Sequence, residues 1–167
     1  MSAETQTPYL DRIFIAPAAG QPMARVEQAH AVAGIGLEGD RYAIGSGYYS
    51  KADPCQVTLI EGEVLDRIAE HYHIPIHEGQ HRRNLVTRGL RLRELAGRRF
   101  RIGAVLLEYD RPRPPCAYVE RISSPGMTRA LGEGAGIAAH ILESEVLREH
   151  DPVTVLPGIY RRVRRLP

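Results

Sequence analysis

The chain has 167 residues, enough for one domain with a sizeable core. Its 22 basic and 20 acidic side chains nearly cancel, so no global field points to nucleic acid. No apolar run approaches the ~20 residues a helix needs to cross a bilayer, and no basic-then-apolar leader opens the chain. A reducing, cytoplasmic setting is therefore expected, where a bridge between Cys55 and Cys116 would be rare.

Sixteen glycines and twelve prolines are spread along the chain, a pattern suited to short strands and tight turns. Residues 1–8 are polar and expected to fray. Residues 9–17 alternate as a strand, and residues 25–32 read as a second one. The stretch 34–42 (GIGLEGDRY) has three glycines but neither a Walker nor a GxGxxG pattern. Its spacing makes Asp40 and Arg41 a local salt bridge on a turn. Residues 45–53 read as a loop, and Val57-Thr58-Leu59-Ile60 as a short strand. Val64, Leu65, Ile68 and Tyr72 recur at helical steps over residues 61–72, with Glu61 and Glu63 in the first turn and Pro75 as the stop.

Residues 81–89 (HRRNLVTRG) read as a short strand entered through Arg82 and Arg83. Neighbours on an extended chain point opposite ways, so at most one of the two arginines should face a given site. A helical turn is expected in 90–96, and a strand pair or one bent strand broken at Gly103 in 100–108. Then come a short segment at 127–131, one strand through 137–142 with Val146 and Leu147, and a last strand at 153–156. Residues 157–167 form an arginine-rich tail without an aromatic stacking platform, which reads as a solvated end. The histidines at 71, 73, 77 and 81 straddle a helix end and a proline with no zinc frame around them. Seven to nine short strands and one convincing helix make a mainly β domain, expected to be a closed barrel with a few short helices.

The least ordinary chemistry lies in residues 109–121 (YDRPRPPCAYVER). Pro112, Pro114 and Pro115 fix φ and remove backbone donors, so the preceding strand should end here and present Cys116 in a set direction. Arg111, Arg113 and Arg121 surround the sulfur with positive charge, which favours the thiolate, the nucleophilic and metal-ligating form. The competing reading is a small buried hydrophobe at a strand end.

Five stretches in order, GLEGDRY (36–42), VTLI (57–60), RNLVTRG (83–89), LAGRRFRIG (95–103) and PRPPC (112–116), resemble the MOSC domain, the C-terminal domain of molybdenum cofactor sulfurases that also occurs alone in bacteria. The resemblance covers about residues 9–156. It implies a barrel of the pyruvate kinase small-domain type and handling of the molybdenum cofactor, a metal held by the dithiolene of a phosphorylated pterin (the molybdopterin form). In relatives that reduce N-hydroxylated compounds, a cysteine at the position of Cys116 ligates the metal; sulfurase domains instead pass sulfur. By resemblance Cys116 is the metal ligand and catalytic residue, and Arg41 with Arg82 or Arg83 answers the phosphate and the pterin. Asn84 orients the strand or a pterin edge, and Thr58 and Tyr118 line the pocket. An external electron donor protein or a sulfur donor, and a small-molecule substrate, are the implied partners. Glu145 and His150 stand where the family has glycines, so both turns should be strained if they need positive φ.

Overall fold

The structure is a computed structural model that describes residues 5–48 and 54–160. The four arginines of the tail (161–167) and the end of the 45–53 loop lie outside the described residues. In chain order the elements are β1 (Tyr9–Ile15), β2 (Ala24–Val26), β3 (Gln28–Val32), β4 (Gly36–Leu37), α1 (Arg41–Ile44), β5 (Val57–Glu61), α2 (Gly62–Tyr72) and β6 (Leu85–Arg88). After a 3₁₀ turn at Leu92–Leu95 come β7 (Arg99–Ile102), β8 (Val105–Pro112), α3 (Ala117–Ile122), α4 (Met127–Leu131), β9 (Ile137–Glu143), β10 (Glu145–Arg148) and β11 (Val153–Val155).

Eight strands form one sheet in the order β11-β7-β8-β9-β5-β6-β1-β2, and β10-β3-β4 form a second. Within the larger sheet, among the described residues, only β5 and β6 run parallel, joined by the crossover through α2. Both sheets are open, which corrects the expected closed barrel. A single bridge, Tyr9 to Pro152, links β1 to the approach of β11. The bridge rests on the Leu10 N–H donating to the Asp151 carbonyl at 2.9 Å and the Val153 N–H to the Pro8 carbonyl at 2.8 Å, and β11 is only three residues long.

The central strands lack a polar face because both faces are covered. Ile13, Leu59 and Leu85 point into one apolar cluster with Leu37, Phe100, Leu107 and Leu147. Their chain neighbours Phe14, Ile60 and Val86 point the other way, into a cluster with Val64, Leu65 and Ile68 of α2, Val119 of α3, and Met127 and Leu131 of α4. That second cluster clamps α3, and so the cysteine loop that leads into it, against the sheet.

Two expected strands each divide between the sheets. Residues 25–32 become β2 and β3, paired to β1 and β10 respectively. The strand expected over 137–147 breaks at Ser144, whose Oγ accepts the Ala33 N–H at 2.7 Å and fixes the corner from which β10 leaves. Strand β8 continues past its expected end at Glu108 as far as Pro112, across a register shift between Tyr109 and Arg111. The helices α3 and α4 were not expected; α3 starts directly after Cys116. His150 is left-handed at φ 75 as the turn reading requires, whereas Glu145 opens β10 and is absent from the positive-φ residues, so only the His150 replacement is strained.

Candidate functional site

The turn that enters β6 explains how two adjacent arginines reach one cleft. Residues 81–87 are all buried. His81 accepts the Arg83 N–H on Nδ1 at 2.9 Å, and the Arg82 N–H donates to the Gly79 carbonyl at 3.0 Å. Arg82 itself is left-handed, φ 64, a conformation that costs a non-glycine residue roughly 1 kcal/mol or more. It resets the alternation of an extended chain, so Arg82 and Arg83 both line the cleft, correcting the expectation that at most one would.

Their bonding differs. Arg83 Nε donates to the Ala135 carbonyl at 2.7 Å and Nη2 to the Arg113 carbonyl at 2.9 Å, tying the cysteine loop to the start of β9. Burial pushes its pKa down to about 10. Arg82 Nη1 donates to the Gln21 carbonyl, while its Nη2 is buried without a hydrogen-bond partner. Burial, and then the neighbouring Arg41, hold the Arg82 pKa below its ordinary value. Arg41 Nη1 reaches Asp40 Oδ1 at 3.0 Å and Met23 Sδ at 3.3 Å, and Nη2 donates to the Arg82 carbonyl at 3.1 Å. Asp40 is fully buried, caps α1, and also accepts the Ala16 and Tyr42 N–H groups. The local Asp40–Arg41 salt bridge read from the spacing therefore forms, and Arg41 lies at the cleft as well.

On the opposite wall the chain runs from Arg111 to Val119. Arg111 pairs with Asp110, and the Arg113 N–H donates to the Gly136 carbonyl at 2.9 Å. Cys116 is partly buried, has extended backbone, and heads α3; its carbonyl accepts the Val119 N–H at 3.1 Å and the Thr128 hydroxyl at 3.2 Å. Tyr118 stacks on Tyr48 with ring centroids 3.9 Å apart, and the Arg121 guanidinium lies 5.4 Å from the Tyr118 ring. The cleft measures about 310 Å³, within the range of small-molecule sites.

Of the residues expected at the site, Cys116, Arg41, Arg82, Arg83 and Tyr118 line this cleft. Thr58 and Asn84 are not among its lining residues: both are fully buried and bonded to each other. Asn84 Oδ1 accepts the Thr58 N–H and hydroxyl, the Asn84 N–H donates back to Thr58 Oγ1, and Nδ2 donates to the Phe14 carbonyl. Asn84 thus joins β5, β6 and β1 directly beneath the arginine turn. Tyr42 and Tyr48 also line the cleft, and nothing in the spacing of the sequence distinguishes them. Cys55 is buried, its thiol pushed up by that burial, so it is the inert member of the cysteine pair.

Among the described residues no group of three or more histidine, cysteine, aspartate or glutamate side chains could hold a metal ion. A metal mounted on a pterin dithiolene asks less of the protein: one soft sulfur and donors for the phosphate. The donor set fits that group, with a single thiol, five arginines on the walls and an unsatisfied nitrogen on Arg82.

An open, mixed-sheet β protein with one loop thiol facing an arginine wall is the class that this geometry defines. Residues 37–164 match the MOSC domain, and the chain belongs to that family, which is commonly associated with molybdenum cofactor binding. Its fold is similar to that of the YuaD protein from Bacillus subtilis (TM-score 0.73, 16% identity, covering 90% of this chain and 96% of that one). YiiM from Geobacillus stearothermophilus gives 0.69 at 15% identity, covering 90% and 75%; YiiM from Escherichia coli gives 0.64 at 18%, covering 92% and 71%. No curated protein matches. No helix among the described residues is long and apolar enough to cross a membrane.

Proposed function

We propose that this MOSC domain binds the molybdopterin form of the molybdenum cofactor with Cys116 as protein ligand and reduces N-hydroxylated small molecules. The observation that carries the reading is one cleft shared by Cys116 and the cluster of Arg41, Arg82 and Arg83. Cys116 supplies the soft sulfur a molybdenum centre accepts. Arg82 holds the phosphate, because it alone of the three has a buried nitrogen without an acceptor. Arg41 and Arg83, committed to protein acceptors, hold the walls in place and add positive field. Tyr118 closes the side of the cleft next to Cys116. The cofactor would supply the redox chemistry, and an external electron donor protein the electrons.

The test is expression in cells that make the cofactor, followed by metal analysis of wild type, Cys116→Ala and Arg82→Gln, and a reductase assay on an N-hydroxylated substrate with a chemical electron donor. Wild type should carry molybdenum and reduce the substrate; Cys116→Ala should lose activity and most of the metal. Equal metal content in wild type and Cys116→Ala would remove the ligand assignment. Partial exposure of Cys116 also supports a second reading, a sulfur or cofactor carrier. A labile extra sulfur on Cys116 by mass spectrometry, without reductase activity, would put the carrier in its place.

A further inference from the structure

A second cleft lies across Pro112 from the first. It measures about 540 Å³ and is bounded by Arg67 of α2, by Arg91 and Arg93 around the 3₁₀ turn, and by Glu61, Tyr109 and Pro112 from the ends of β5 and β8. Five arginines elsewhere on the surface have a carboxylate partner: Arg12 with Glu78, Arg25 with Glu149, Arg88 with Asp66, Arg99 with Glu108 and Arg101 with Glu143. Among the described residues Arg67, Arg91 and Arg93 make no such pair, although Glu61 and Glu133 line the same cavity. Three guanidiniums without a salt bridge line one concavity, and guanidinium is the side-chain group best suited to hold a phosphate.

Glu61 sets the other half of the ligand. Its carboxylate is half-buried at the head of α2 and makes no side-chain capping bond there. Burial holds it above its usual range, against the Leu92 N–H and the guanidiniums of Arg67 and Arg91. A desolvated carboxylate is satisfied by paired N–H donors, and the Tyr109 ring beside it offers a flat surface. We infer that this cleft binds a small phosphate ester whose other end presents an N–H edge, as a guanine-type nucleotide does: phosphate on Arg67, Arg91 and Arg93, N–H edge on Glu61.

Calorimetry on the full chain with guanosine monophosphate and with ribose 5-phosphate tests both halves. Guanosine monophosphate should bind the more tightly. Because Arg91 and Arg93 are exposed, the Arg91→Ala/Arg93→Ala variant should fold and should weaken both ligands about tenfold or more. Glu61→Gln should weaken the nucleotide about fivefold and leave ribose 5-phosphate unchanged. Arg82→Ala, in the first cleft, should alter neither. Loss of nucleotide binding in Arg82→Ala but not in Arg91→Ala/Arg93→Ala would move the ligand to the first cleft and overturn the inference. Equal affinity for the two ligands, or no binding in the wild type, would overturn it too. Molybdenum content of Arg91→Ala/Arg93→Ala is read separately, so failure here leaves the cofactor reading standing.

Discussion

His81 should make the arginine turn acid-labile well before the carboxylates titrate. The imidazole is fully buried beside Arg82 and Arg83; burial, then Arg83, His77 and Arg82, hold its pKa at about 3 rather than 6.5. Between those values the unfolded chain binds a proton that the folded chain refuses, so acid favours unfolding. Stability is unaffected by this group above pH 6.5 and falls below it, down to about pH 3, by roughly 1.4 kcal/mol per pH unit. At pH 5.0 the loss is about 2 kcal/mol, which moves a urea midpoint by about 1 M when the slope is near 2 kcal/mol/M. The assay is urea unfolding of wild type and His81→Asn at pH 7.5, 6.5 and 5.0; asparagine keeps an acceptor near Nδ1 for the Arg83 N–H but does not titrate. Wild type should be the more stable at pH 7.5 by about 1 kcal/mol, through better filling of the site, and should lose that lead by pH 5.0. Parallel curves across this range would show that His81 is not a buried neutral imidazole. Asp66 and Glu149, whose pKa values are lowered by Arg88 and Arg25, lose their contributions only below about pH 4.5 and cancel in the comparison.

Gly136 has φ 95, and a Cβ there would lie 1.9 Å from the Leu59 carbonyl oxygen. Gly136→Ala should therefore cost about 3 kcal/mol or more and lower Tm by roughly 6–12 °C by calorimetry, loosening the Arg113 contact that anchors the cysteine loop. Asn84→Leu removes the three hydrogen bonds of the Asn84 amide and strands the buried Phe14 carbonyl and Thr58 donors; a loss of about 3–5 kcal/mol is expected in urea unfolding, with no change to a residue lining the cleft. Arg88→Met breaks contacts to Asp11 and Asp66; being partly exposed, the pair should be worth about 1 kcal/mol or less, shrinking further in 1 M salt.

The sequence carries the site more fully than it carries the architecture. Short-range chemistry is written in adjacent residues: the prolines before Cys116, the apolar period of α2, the Asp40–Arg41 pair. What sequence periodicity misses are the places where the chain changes sheet or direction. Residues 137–147 read as one strand because both halves are apolar; the division at Ser144 shows only in their separate partners and in the Ser144 hydroxyl bond to Ala33, over a hundred residues away in sequence. Barrel closure fails for the same kind of reason, since it depends on whether the end strands meet, which a single bridge at Pro152 decides. The misjudged orientation of Arg82 and Arg83 has a local cause. Arginine is not a residue that announces positive φ, and the buried His81 and Gly79 contacts that hold it there become visible only in three dimensions.

That strained turn also bears on what the cleft is for. Arg41, Arg82, Arg83, Arg111 and Arg113 line it with no carboxylate among the described lining residues; Asp40 and Asp110 sit behind, each already holding one guanidinium. Packing several cations together with desolvation works against folding, as the depressed pKa values of Arg82 and Arg83 register. A fold optimised for stability alone would put apolar side chains at such positions. Here the arrangement is held open by a left-handed arginine, by Asn84 joining three strands beneath it, and by backbone carbonyls that Arg83 draws in from two loops. An anion placed on Arg82 would offset this cost, in the same cleft that Cys116 lines.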